Sequence, residues 1–216
     1  MPDLFDNPDA SQPQHDELAI GAMVLRGQAL AMTEQILAAL RNVVTAAPFR
    51  HMVTPGGFTM SVAMTNCGAA GWVTDRTGYR YDDCDPGSGL PWPAMPFAFR
   101  HLATAAATAA GFPDFVPDAC LINRYQPGAR LSLHQDRNER DMDAPIVSVS
   151  LGLPAVFQFG GMTRTDPVRR IALQHGDVVV WGGLSRLRYH GVLPLADGEH
   201  PAFGRARVNL TFRKAL

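Results

Sequence analysis

Cysteine is scarce in this chain of 216 residues: there are three, at positions 67, 84 and 120. They are odd in number and far apart, and no two form a CxxC pair. That argues against a disulfide framework or a zinc site built on paired thiolates, and a reducing compartment is expected. No apolar run reaches the roughly 18 residues that a membrane-spanning helix needs. The N-terminus carries acids where a secretory signal would carry bases, so a soluble, cytoplasmic protein with no membrane partner is expected. Lysine is nearly missing, one against 18 arginines. Arginine suits phosphate and carboxylate recognition, but genomic base composition accounts for the bias just as simply. The net charge of −1 creates no global attraction to nucleic acid. Its distribution is uneven: residues 161–216 hold nine basic and four acidic residues, against ten and 16 in the remainder. A local basic patch is therefore permitted.

What is present points to a β-rich fold. A hydrophobic fraction of 46% supports one domain with a sizeable core. Seventeen prolines and 20 glycines in short clusters imply many turns. Neither a repeat nor a linker interrupts the chain, so residues 1–216 read as a single domain. Residues 1–17 hold five acids and no Lys or Arg, which suggests a loose leader. Ala19–Leu25 reads as a short strand, and 28–46 as a helix stopped by Pro48. Residues 49–82 read as strands and hairpins, with a turn at Thr54-Pro55-Gly56-Gly57 and a strand over 58–64. A Pro-rich acidic loop covers 82–96, and an Ala-rich helix runs over 97–110 to Gly111 and Pro113. From 118 onward the strand candidates are 118–125, 130–136, 146–153, 155–159, 169–174, 177–182, 187–193 and 205–214. Eight short strands between turn signals indicate a double-sheet jelly roll. The fold class is thus mainly β with α (α+β).

The densest chemistry lies in Leu131-Ser132-Leu133-His134-Gln135-Asp136. On a strand, residues two apart point to one side, so His134 and Asp136 would aim at a common point. A further imidazole would complete a two-His, one-carboxylate set with open positions, the pattern of non-haem Fe(II) oxygenases. His190, in Leu187-Arg188-Tyr189-His190-Gly191, is the candidate. His175-Gly176-Asp177 has the same spacing, but its glycine and the apolar run behind it suggest a turn feeding a strand. His15, His51, His101 and His200 read as ordinary surface groups.

In Arg205–Arg213, alternation puts Val208, Leu210 and Phe212 on one face and Arg207, Asn209, Thr211 and Arg213 on the other. If the apolar face meets the helices, two guanidiniums enter the interior, and a buried Arg without a partner implies an anionic guest. An edge strand with both arginines solvated fits the same pattern. One face of 119–125 carries Asn123 and Tyr125, which can hydrogen-bond a small acid or satisfy backbone groups. Trp72, Tyr79 and Tyr81, interleaved with Arg76 and Arg80, can stack bases and hold phosphates. Residue types alone favour the plainer reading, a hairpin packed on the core.

Asn123-Arg124-Tyr125, His134-Gln135-Asp136, His190 and the ending Arg207-Val208-Asn209-Leu210-Thr211-Phe212-Arg213 resemble the AlkB family of Fe(II)/2-oxoglutarate dioxygenases. The similarity runs from Pro55-Gly56-Gly57-Phe58-Thr59-Met60 onward and is nearest to the bacterial DNA-repair members. It implies a double-stranded β-helix core over 118–214 and a nucleotide-recognition lid over 49–82. It also implies Fe(II) on His134, Asp136 and His190, with 2-oxoglutarate and dioxygen as cosubstrates. Arg213 would pair with the distal carboxylate of 2-oxoglutarate, helped by Asn123 and Tyr125; Arg207 would flank the carboxylate near the metal, with Asn209 in the same pocket. Trp181 and Ser148 would line the chamber. Trp72 would stack on a flipped base opposite His134. Tyr79, Arg164, Asn138, Met64, Ser132, Thr54 and Met60 would belong to the nucleotide side. This reverses the plainer reading of the aromatic hairpin.

The implied activity is removal of N-alkyl groups from bases such as 1-methyladenine and 3-methylcytosine. Hydroxylation of the methyl group would be followed by loss of formaldehyde. The implied partner is alkylated DNA, single- or double-stranded, or RNA, met by a monomer. One departure stands out. Family members often carry an acid shortly after the metal Asp that accepts from a base's exocyclic amine; here Asn138 is at that position, with Glu139 beside it. Two other readings keep part of the pattern: a hydroxylase of the same chemistry acting on a protein or metabolite, and a non-catalytic metal-binding sensor.

Overall fold

The computed structural model describes residues 14–216. Most of the expected leader lies outside the described residues, but His15–Glu17 corrects the rest of that expectation. They belong to β1 (His15–Ala19), which pairs antiparallel with β2 (Ala22–Leu25). The single strand expected over 19–25 is broken by a tight turn. Gly21 has φ +74°, and a Cβ there would lie 2.7 Å from the Gly182 carbonyl oxygen, so glycine is required.

A single helical turn at Leu30–Met32 leads into α1 (Thr33–Ala46), which buries Ile36, Leu40 and Val43 at helical spacing. Then follow β3 (Arg50–Val53), β4 (Thr59–Gly68), β5 (Gly71–Asp75), β6 (Gly78–Asp82) and α2 (Phe97–Ala109). The remainder is all strand: β7 (Ala119–Tyr125), β8 (Leu131–His134), β9 (Ile146–Gly152), β10 (Ala155–Phe159), β11 (Arg169–Leu173), β12 (Val178–Trp181), β13 (His190–Val192) and β14 (Arg207–Arg213).

These strands form an eight-stranded sheet in the order β1-β2-β12-β9-β14-β7-β4-β3 and a four-stranded sheet, β11-β10-β13-β8. β7–β14 are the eight strands expected for the jelly roll, split evenly between the two sheets. Between the sheets lie Met64, Tyr125, Phe157, Phe159 and Trp181. Behind the large sheet, α1 and α2 cover a second core in which Phe99 meets Phe212 edge-on, with ring centroids 6.1 Å apart. Val208, Leu210 and Phe212 all lie in that second core. The opposite face of β14 must then look inward, which decides against the solvated edge. Each such buried side chain contributes about 2 kcal/mol.

Residues 49–82 do not form one separate flap. β4 pairs with β7 from Ala63 to Gly68 and is part of the large sheet. Only the β3–β4 turn and the two-stranded β5–β6 hairpin stand at the rim. Among the described residues, no helix is long and apolar enough to cross a membrane.

Candidate metal and cosubstrate site

His134 and His190 are cross-strand partners at the meeting of β8 and β13, with ring centroids 4.4 Å apart. Gly191 makes that approach possible: a Cβ there would lie 2.8 Å from the Leu131 carbonyl oxygen and 3.1 Å from the Leu133 nitrogen. β8 ends at His134, so Asp136 stands just past the strand rather than on it as expected. Its carboxylate still reaches both rings, 3.7 Å from His134 Nε2 and 3.9 Å from His190 Nε2. One ligand atom from each of the three lies within 4.8 Å of the others.

The imidazole tautomers follow from their partners. His134 Nδ1 is 2.8 Å from the Ser132 carbonyl oxygen, and His190 Nδ1 is 3.1 Å from that of Arg188. A carbonyl only accepts, so each Nδ1 carries the proton and each Nε2 offers its lone pair to the shared point. Burial, helped by the neighbouring His134, pushes the His190 pKa down to about 3. The ring is therefore neutral at pH 7. Burial alone would raise the Asp136 carboxyl, but Arg213, His190 and His134 outweigh it and hold the group well below the usual carboxylate range.

Arg213 donates to Asp136 Oδ2 from Nε (2.9 Å) and Nη2 (2.6 Å). Its Nε also lies 3.2 Å from Glu139. This corrects the expected division of labour between the two arginines. Arg213 sits at the metal end, while Arg207 occupies the other end of β14, stacked 4.9 Å over the Tyr125 ring and donating to Ser150 Oγ at 2.9 Å. Tyr125 is its cross-strand partner, as Asn123 is that of Asn209. Asn123, Tyr125 and Asn209 thus cluster toward Arg207, not Arg213.

Arg207 supplies the fit test for an anionic cosubstrate. It is 1% exposed, and among the described residues it has no carboxylate partner and its Nε and Nη1 make no hydrogen bond. Burial lowers its pKa, opposed only by Tyr125. A fully buried cation with idle donors is costly unless an anion completes it. Asn123 Oδ1, Arg213 Nη1 and Trp181 Nε1 are idle too. A small dicarboxylate spanning from the metal end to Arg207 would satisfy this set, and a two-His, one-carboxylate group suits Fe(II).

All these groups line one cavity of about 790 Å³. The structure brings to it His134, Asp136, His190, Asn123, Tyr125, Arg207, Asn209 and Arg213, together with Trp72, Tyr79, Asn138, Arg164, Met64 and Ser132. Thr54, Met60, Ser148 and Trp181 line it as well. Trp72 and Tyr79, cross-hairpin neighbours on β5 and β6, stack at 5.7 Å. The rival pair is structural. His175 Nδ1 accepts from the Gly152 amide at 3.0 Å, while Asp177 accepts from Gly27, Gln174 and Arg26.

Sequence reasoning missed a buried network. Glu139 accepts from Tyr81 Oη (2.7 Å) and Arg186 Nη2 (3.1 Å), and Arg186 Nη1 also donates to the Asp136 carbonyl (3.0 Å). No motif marks Arg186; an acid three residues past Asp136 was the one available signal. Phe58, on the cavity rim and 77% exposed, was also missed. Its place in an apparently regular strand concealed it.

Comparison with known proteins agrees with this geometry. Residues 21–213 match the family model described as the 2OG-Fe(II) oxygenase superfamily. The chain is 60% identical over 215 residues to the alpha-ketoglutarate-dependent dioxygenase AlkB of Escherichia coli (strain K12), covering 100% of this chain and 98% of that protein. It is 35% identical over 132 residues to the human nucleic acid dioxygenase ALKBH1, covering 59% of this chain and 33% of that protein. The solved structure of OsALKBH1 superposes with a TM-score of 0.81 at 27% identity, covering 93% of this chain and all of that one. A near full-length match to AlkB thus joins a jelly roll that gathers two imidazoles and a carboxylate beside an unpaired buried arginine, and the chain belongs to the AlkB family of Fe(II)- and 2-oxoglutarate-dependent dioxygenases.

Proposed function

We propose that this chain, acting as a single monomeric domain, is an oxidative demethylase of N-alkylated bases in DNA or RNA. The observation that carries the reading is the position of the three-ligand group in a cavity whose rim bears the Trp72–Tyr79 stack. Aromatic faces accept any base, and a base that is already poorly paired costs least to turn out of a duplex. A relative named a nucleic acid dioxygenase supports the same substrate class.

Bound at His134, Asp136 and His190, Fe(II) with 2-oxoglutarate and dioxygen supplies the oxidising power to hydroxylate a C–H bond while the keto acid becomes succinate and carbon dioxide. The chain's own groups do the rest. His134 and His190 present their Nε2 atoms to the shared point, held by their Nδ1–H bonds to backbone carbonyls. Arg213 and Arg186 fix the side chain and the backbone of Asp136. Arg207 and Tyr125 hold the far carboxylate of the keto acid. Trp72 and Tyr79 hold the base so that its methyl group faces the ligands. The N-hydroxymethyl product then sheds formaldehyde, returning the unmodified base.

The test is a product assay on methylated oligonucleotides with Fe(II), 2-oxoglutarate and ascorbate. Formaldehyde and succinate in equal amounts are expected, both abolished by a chelator. Turnover of free amino acids or proteins without turnover of methylated bases would overturn the reading.

A further inference from the structure

Which methylated bases the cavity favours depends on the reading just given, that a nucleobase enters it. The lining is poor in negatively charged acceptors. Asp136 is the single carboxylate among the lining residues, and Arg213 already holds it. Glu139, three residues on, is buried and fully engaged by Tyr81, Arg186 and Arg213, so it cannot turn toward a base. Arg130 and Arg164, by contrast, both reach the lining.

Asn138 lies between these acids and faces the cavity. Its Oδ1 is 3.4 Å from the indole Nε1 of Trp72. An indole N–H only donates, so it orients the amide: oxygen toward Trp72, nitrogen away from it. Among the described residues, Asn138 Nδ2 donates to nothing. The residue that meets a base stacked near Trp72 therefore presents two free N–H donors.

Methylated bases divide by charge and by the group at purine C6 or pyrimidine C4, on one side of the lesion. 1-Methyladenine and 3-methylcytosine have an exocyclic amino group there and a positive charge. 1-Methylguanine and 3-methylthymine have a carbonyl oxygen and no charge. A free amide N–H pairs with the carbonyl and meets the amino group donor to donor. The cationic bases also find no uncommitted carboxylate. Stacking on Trp72 and Tyr79 discriminates little, because every base offers a π face. We propose that Asn138 is a specificity-determining residue that biases this enzyme toward neutral, carbonyl-bearing N-methylated bases and away from cationic, amino-bearing ones.

The test measures kcat/KM for single-stranded oligonucleotides, each holding one of these four bases, with the wild-type chain, Asn138→Asp and Asn138→Ala. Asn138→Asp keeps the shape but replaces the donor with an acceptor and a negative charge. The ratio of 1-methylguanine to 1-methyladenine turnover should fall about tenfold or more, that of 3-methylthymine to 3-methylcytosine should fall alike, and Asn138→Ala should lie between. Binding of the same oligonucleotides without dioxygen should follow the same order. Equal ratios in all three proteins overturn the role of Asn138 and leave demethylation standing. No formaldehyde from any of the four bases overturns both.

Discussion

At the floor of the cavity, Arg207 is 1% exposed, and His190 and Arg213 are 5% exposed; at the rim, Tyr79 is 49% exposed and Phe58 77%. The floor groups are set by cross-strand register in two sheets and by charged hydrogen bonds. The rim groups stand on a turn and on a hairpin that forms a separate two-stranded sheet. A preorganised floor spends no ordering entropy at the moment of reaction. A more exposed rim leaves room for ligands of differing outline. The chemistry is therefore held constant while the choice of substrate is left to a few exposed side chains.

Substitutions should separate the two regions sharply. His190→Ala is expected to abolish turnover and weaken Fe(II) binding by more than about 100-fold, beyond the loss typical of outer partners. Equilibrium metal titration measures it, and retained affinity would remove His190 from the ligand set. Arg207→Ala and Arg213→Ala split the floor itself. Loss of Arg207 should raise the KM for 2-oxoglutarate by about 30-fold or more with metal affinity unchanged. Loss of Arg213 should cost about tenfold in metal affinity as well, because Asp136 loses its partner. Matching phenotypes for the two would blur the distinction drawn between the ends of β14.

Trp72→Ala should act at the rim alone, raising the KM for a methylated oligonucleotide about tenfold. Turnover of 2-oxoglutarate without nucleic acid should be unchanged, and an equal fall in both would make Trp72 a floor residue in effect. The smallest effect is expected from acid. In the metal-free protein His190 titrates near 3, whereas in the unfolded chain it titrates near 6.5. Between those values the unfolded state binds the extra proton, so stability is full above about pH 6.5 and declines below it. Asp136, also lowered on folding, adds to the loss at still lower pH. Thermal unfolding several degrees lower at about pH 5 than at about pH 7.5 is expected, with little of that difference in His190→Ala.

The floor was largely legible in the sequence, because a strand has two faces and alternation names them. Val208, Leu210 and Phe212 fixed which way Arg207 and Arg213 point. Alternation gives the face but not the depth. Which arginine meets the metal depends on where β8 and β13, in the other sheet, bring the histidines, and that is a matter of long-range pairing. Asp136 was found for a partly wrong reason, since Arg213 and Arg186 hold it rather than the pleat of a strand. The rim was less legible. β4 looked like part of a flap, yet half its length is core, and Phe58 carries no pattern that separates a packed phenylalanine from one standing in solvent. Glu139 and Arg186 find each other across 47 residues of sequence, where no local signal exists.

Gly191 gives the floor an unguarded point. It ligates nothing and carries no charge, yet the gap between the two histidine-bearing strands is no wider than its bare backbone allows. One methyl group there would act as a shim and push the paired imidazoles apart while leaving all three ligands in the sequence. In a relative that keeps the whole triad but has fallen silent, this glycine is the first position to inspect.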